Sequence, residues 1–290
     1  MNKNTILSIL GACAFVCASA QQATIKVAYE AYSTPRSGNF LKQVKRDMVL
    51  LAGPQGSKYY NTMSEYCDSL TSTPEGKKQL NDIQMAAWMT RNPDGSISIN
   101  QTKGNAPHKT ESLYVYKDAA TSTVTVYDKW ADELGTYTEP MGQQWELVED
   151  STKTVLGYEC MLATCNYHGR QWSAWFSPEI PVSDGPWKLS GLPGLILEAY
   201  VPNSNFRFIA TGIENTNAPI TPIYQANTYA KVDRKKALRE QQDFLNHLQE
   251  RLSARSQGKV EVYITDEKGN RITMPKYEPK FAIENDYEEK

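Results

Sequence analysis

The segment WSAWFSPEIPVSDGPWKLSGLPGLILEAY, residues 172–200, carries three tryptophans, four prolines and three glycines among apolar residues. Proline fixes φ and glycine opens backbone regions closed to other residues, so such a segment has few conformations to choose from. Its first part, Arg170 to Phe176, alternates as a strand. Trp172, Ala174 and Phe176 point to one face and Trp175 to the other, so both faces of the sheet hold an aromatic. Pro181, Gly185, Pro186, Gly191, Pro193 and Gly194 then supply turn positions. Pro193-Gly194 suits the centre of a type II turn, in which Gly194 needs a positive φ. Leu195-Ile196-Leu197 leads into a strand that is buried on both faces or lies at an edge. The segment reads as a rigid corner followed by a core strand. Its alternative role is a ligand or partner surface made by Trp175, Trp187, Leu192, Pro193 and Leu195.

Upstream, Ile25 to Ala31 alternates as a strand. Asp47 to Leu51 and Lys58 to Asn61 form two more, with Gly53-Pro54-Gln55-Gly56 as the turn between them. Thr73 followed by Pro74 predicts a capped helix over 75–91. Strands follow at 113–116, 124–127, 145–148, 154–166, 195–201 and 206–213. One long helix is predicted from Asp233 to Arg255, with Leu238, Leu245, Leu248 and Leu252 at helical spacing. Two short strands, 259–264 and 271–274, precede a mostly charged tail. These elements predict an α+β fold. A curved antiparallel sheet, half-barrel-like, would pack one long helix of the C-terminal half and a shorter helix.

The first twenty residues contain one charge, Lys3, then an apolar run and Ala18-Ser19-Ala20. This is the layout of a secretory signal cleaved after Ala20, which predicts an exported, periplasmic protein. A lipidation box at Leu10-Gly11-Ala12-Cys13 is the rival reading. Residues 21–290 read as a single domain, because no linker or repeat divides them. The formal net charge of −2 gives no electrostatic reason to expect nucleic acid or an anionic membrane surface. No later stretch is apolar enough for a transmembrane helix.

Three cysteines follow the signal: Cys67, Cys160 and Cys165. On one strand the last two would lie ~16 Å apart and, five residues apart, would face opposite sides, so they cannot bond to each other. Cys67 with Cys160 is the candidate disulfide, and a buried thiol is the alternative for Cys160. His108, His168 and His247 are widely spaced and lie in no metal-binding motif. No nucleophile elbow or phosphate loop is present. Neither a metal, a cofactor nor a catalytic residue is assigned from the sequence.

Gly191-Leu192-Pro193-Gly194-Leu195-Ile196 resembles the hexapeptide that names the GLPGLI family of exported proteins of Gram-negative bacteria. Gly185-Pro186-Trp187-Lys188, Trp175-Phe176-Ser177-Pro178-Glu179-Ile180-Pro181, Gly157-Tyr158-Glu159-Cys160 and Gly169-Arg170 fit further family positions, and Ser57-Lys58-Tyr59-Tyr60 is a weaker echo. Leu162-Ala163 stands where the family usually has Lys-Ala. The resemblance implies export but no established activity. The absence of catalytic motifs and the aromatics on both sheet faces favour a binding or carrier module for a lipophilic ligand or an exported partner. The alternatives are an accessory factor of an outer-membrane protein complex, docking through the Leu195 strand or the long helix, and a redox-linked enzyme using Cys160 or Cys165.

Overall fold

A computed structural model describes residues 21–34, 43–99, 106–257, 264–265, 268–272 and 276–287. The proposed signal segment and most of the 259–264 strand lie outside the described residues. In chain order the elements begin with β1 (Ile25–Ser33), β2 (Val44–Gly53), β3 (Gly56–Tyr60), α1 (Thr62–Thr71), α2 (Pro74–Trp88), β4 (Met89–Arg91) and β5 (Ile97–Ile99). Then come β6 (Tyr114–Asp118), β7 (Thr123–Trp130), β8 (Glu133–Pro140), β9 (Glu146–Val155), β10 (Tyr158–Tyr167) and β11 (Arg170–Ser177). The chain continues through β12 (Leu195–Tyr200), β13 (Arg207–Asn215), β14 (Ala230–Lys231), α3 (Arg234–Asn246), α4 (Leu248–Arg255), β15 (Ile264–Thr265) and β16 (Arg271–Ile272).

The expected α+β half-barrel with one long helix is not what forms. The chain is mostly β, built on one twelve-stranded mixed sheet that closes into no barrel, with four helices among the described residues. The strand order is β14-β8-β7-β6-β3-β2-β1-β13-β12-β11-β10-β9. Neighbours pair antiparallel except β14 with β8, which is parallel. The long helix breaks at His247, which leaves helical geometry at φ −113° and ψ 19°. Its Nδ1 lies 2.9 Å from the Asp243 carbonyl, where the ring competes for a backbone acceptor. Among the described residues two helices, not one, lie in the N-terminal half. The capped helix at 73–74 forms as α2, with Thr73 accepting from Gly76 N. α1 escaped the sequence reading, although Asn61 caps it by accepting from Ser64 N at 2.9 Å.

Alternation sorts the central strands onto two covered faces. Val27, Tyr29, Leu50, Tyr59, Val115 and Val126 point into the main core, which continues through Trp172, Phe176, Leu195 and Phe208. Val49, Leu51, Tyr60 and Tyr114 point the other way, under Ile220, Ile223 and Tyr229. Because both faces are covered, these strands read as continuous apolar runs.

Cys160 and Cys165 correct a second expectation. Residues 154–166 are not one strand, because Leu156 (φ 51°) and Gly157 (φ 86°) form a tight hairpin turn between β9 and β10. A register shift between Met161 and Leu162 then slips the alternation by one residue. Both thiols therefore enter the same core despite their odd spacing.

The corner after β11 is rigid for reasons other than a type II turn. Gly191, not Gly194, takes the positive φ, at 92°. Gly194 N donates to Leu192 O at 2.8 Å, a three-residue turn centred on Pro193. Gly194 is required for space, since a Cβ there would sit 2.2 Å from Ser177 O. A Cβ on Gly185 would meet the Ile196 side chain at 2.8 Å. Gly194→Ala should therefore cost about 2–3 kcal/mol in urea unfolding, whereas Gly191→Ala should be limited to the cost of its backbone angle. Equal costs at the two positions would contradict this assignment.

Candidate functional site

Two buried lysines fix the corner from opposite sides. Lys117 on β6 reaches Asp184 Oδ1 at 2.5 Å, Gly185 O at 2.7 Å and Leu189 O at 2.9 Å. All three ammonium protons are used. Burial pulls the Lys117 pKa down, against the charge of Asp184. Lys188, in the corner itself, is fully buried. Its Nζ donates to Glu139 Oε1 at 2.6 Å and Tyr137 OH at 3.1 Å and pairs with Glu284 Oε1 at 2.7 Å.

Lys188 is the centre of a larger ionic network. Arg234 on α3 pairs with Glu284 and Asp286 at 2.6 Å and with Glu139 at 3.4 Å. His168 lies between Glu139, 2.9 Å from Nε2, and Asp286, 3.3 Å from Nδ1. Burial pushes Glu139 up, but the His168 hydrogen bond and the Lys188 charge outweigh it and hold the carboxyl at about 2. Glu284 and Asp286 are likewise held below their ordinary range: Lys188 foremost offsets burial at Glu284, and Arg234 at Asp286. His168, Glu284 and Asp286 each place a ligand atom within 4.8 Å of the others. Arg234 and Lys188 already neutralise both carboxylates, so a divalent ion would have to displace resident cations.

This network joins parts of the chain that the backbone ladder leaves apart. Glu139 ends β8, second from one end of the sheet, and His168 follows β10, second from the other. Glu284 and Asp286 belong to the C-terminal segment 276–287, which also docks by Asn285 N donating to His168 O at 3.0 Å. Arg170 and Arg239 hold further carbonyls of that segment. The charged tail expected from sequence is thus partly a buried element.

Beside the network lies a cavity of about 130 Å3. Tyr59, Trp130, Tyr137, Trp187, Phe206 and Phe208 wall it on the sheet side, and Leu238 and Phe281 from α3 and the C-terminal segment. The corner thus contributes Trp187, held at φ 54° and packed on Trp172 with ring centroids 5.5 Å apart.

The residues read as a ligand or partner surface do not share one. Trp187, Leu192 and Leu195 are buried in the core, and Pro193 is exposed. Trp175 lies on the opposite face, half-buried, with Lys153 Nζ 5.5 Å from its ring centroid. β12 lies between β11 and β13, so the Leu195 strand is not a docking edge. Among the turn positions, Gly185 and Pro186 are buried, while Pro181 is exposed. Sequence reasoning weighed His168 only as one of three scattered histidines and missed Glu139, Arg234, Glu284 and Asp286; the five span 148 residues of chain. The tail gave one signal, since Tyr277, Phe281, Ile283 and Tyr287 interrupt its charges.

Cys67, Cys160 and Cys165 are buried free thiols. The Cys67–Cys160 bridge is not formed, because Cys67 sits on α1 and Cys160 on β10 in separate surroundings. Burial pushes all three thiols up, Cys165 to about 12. Such groups are poor nucleophiles.

A family model described as a protein of unknown function (Porph_ging) matches residues 167–198. That stretch begins one residue before His168 and holds Trp172, Trp187, Lys188 and the whole corner. No curated protein matches the chain. Solved structures of PNGF-II in C2 and P21 crystals are 12% identical to it, with TM-scores of 0.45 and 0.44. They cover 76% and 75% of this chain and 33% of their own, so the chain spans about a third of their length.

Two outcomes are expected here. A thiol reagent should label none of the three cysteines in the folded protein and all of them in denaturant. Because the carboxylates have depressed folded pKa values, their stabilisation is full above about pH 4.5 and is lost as the pH falls through about 2. For Glu139 alone this is on the order of 3 kcal/mol. Lys188→Met should remove part of that acid dependence from the unfolding free energy, and the part carried by His168 and Arg234 should remain.

Proposed function

We propose that this chain is an exported, non-enzymatic binding module of the GLPGLI type, whose ligand is a small lipophilic molecule held in the cavity beside Trp187. The reading rests chiefly on the cavity itself: a partly open space of about 130 Å3 with a largely aromatic and apolar wall and charged groups at Arg46, Glu111, Asp128 and Glu284. A dry apolar cavity of comparable volume accepts a single benzene ring. Export is supported by the Ala18-Ser19-Ala20 layout, and the family by the hexapeptide 191–196 inside the matched stretch. The buried, protonated thiols weigh against the redox reading, and the internal position of β12 weighs against docking through that strand.

The test is stability with and without ethylbenzene. Binding to the folded state alone should raise the unfolding free energy by about 2.7 kcal/mol at one hundred times Kd. Ala31→Phe, which fills the cavity from β1, should abolish that increment. An increment that survives the substitution would place the ligand elsewhere, and no increment in the wild-type protein would remove the reading.

A further inference from the structure

The walls of this cavity are not equally fixed. β1, β2, β3, β7, β8 and β13 supply its sheet side, and each of these strands is bonded into the ladder. α3 adds Leu238 and Gln241. The remaining wall is Tyr277, Phe281, Ala282, Ile283 and Glu284 of the C-terminal segment 276–287, which contains no strand among the described residues. Among those residues one backbone hydrogen bond, Asn285 N to His168 O, joins the segment to the rest of the protein. Side chains do the rest of the holding. Arg170 Nη2 donates to the carbonyls of Pro279 and Lys280, each at 3.0 Å, and to Ala282 O. Thr34 donates to Phe281 O, and Arg239 to Tyr287 O at 2.8 Å. Gly169 leaves the room, since a Cβ there would collide with the Asn285 side chain. A segment outside the ladder opens at lower cost than the strands within it.

We infer that the C-terminal segment 276–287 is the gate of the ligand cavity, lifting as a strap to admit and release the ligand while the sheet and α3 stay in place. This rests on the binding reading above and adds how that site is controlled. The ionic network suits such a step. Glu139, on the sheet, contacts Lys188, His168 and Arg234. When Glu284 and Asp286 leave and water enters, all three keep that carboxylate, so opening isolates no buried charge. The apolar anchors of the segment, Tyr277, Ala282 and Tyr287, pack with Leu245 in a small cluster of their own. Lifting them therefore leaves the main core closed.

The experiment measures ethylbenzene exchange by NMR on the full chain, in wild type, Arg170→Ala and Arg239→Gln, with hydrogen exchange at the Asn285 amide read in parallel. Neither arginine lines the cavity. Loosening a gate scales entry and exit alike, so kon and koff should both rise about tenfold while Kd stays within about twofold of wild type. The Asn285 amide should exchange faster by a similar factor. Arg239→Gln frees the far end of the segment and keeps the test available if Arg170→Ala does not fold. Ethylbenzene rates that stay constant while Asn285 exchange rises overturn the gate, and the cavity reading stands. An affinity that falls because koff alone rises shows the segment to be a fixed wall and also overturns the gate. Failure of ethylbenzene to bind wild type overturns the cavity reading and this inference together.

Discussion

Lys188 is a fully buried cation, and the architecture around it follows from that constraint. A buried ammonium must be paired, because desolvation otherwise costs several kcal/mol. Its partners come from β8 and from the C-terminal segment, with Arg234 of α3 bonded to the same carboxylates. β8 and β10 approach opposite ends of a sheet whose strands never close on one another. Side chains bridge that interval: Glu139 bonds both Lys188 and His168. One ionic cluster therefore substitutes for missing backbone pairing and fastens α3 and the C-terminal segment 276–287 over the core.

The corner at 184–196 is what holds that cation in place. Lys117 grips it from β6, Trp145 donates to Ser190 O at 2.7 Å, and Tyr29 donates to Ile196 O. Trp187 adopts a left-handed backbone uncommon for a bulky residue, and burial between Trp172 and Tyr167 holds it there. The glycines permit close approach, and the prolines shape the turns. The motif thus reads as a structural keystone that also contributes one wall of the cavity. Site and scaffold are continuous there, because Tyr137, Trp187 and Glu284 belong to both.

Much of the sheet was legible in the sequence wherever alternation was clean, as in Ile25 to Ala31 or Arg170 to Phe176. Thr73-Pro74 announced α2. β8 was missed because Gly135, Thr136, Thr138 and Pro140 carry little apolar pattern, although Tyr137 and Glu139 prove central. The 154–166 strand was read too long because Leu156, an apolar residue, occupies a turn position with positive φ. The opposite-face assignment of the two cysteines failed because register shifts leave no mark in composition. The corner and the core strand after it were recognised; only the alternative reading, a shared ligand or partner surface, did not hold. Trp187 faces Leu238 of α3 and Phe281 of the C-terminal segment across the cavity, a long-range outcome that local pattern does not encode. The network was invisible for the same reason: its acids and bases are ordinary charges until the fold brings them together.

The claim that the Lys188 cluster clasps the fold is tested most directly by a double-mutant cycle of Lys188→Met with Glu284→Gln, read as unfolding free energies. Each single change strands a buried partner and should cost about 3–5 kcal/mol. The double variant should cost less than the sum by at least about 1 kcal/mol, the coupling expected for residues in direct contact. Additive costs, or single variants within about 0.5 kcal/mol of wild type, would show that the pair does not hold the sheet ends together.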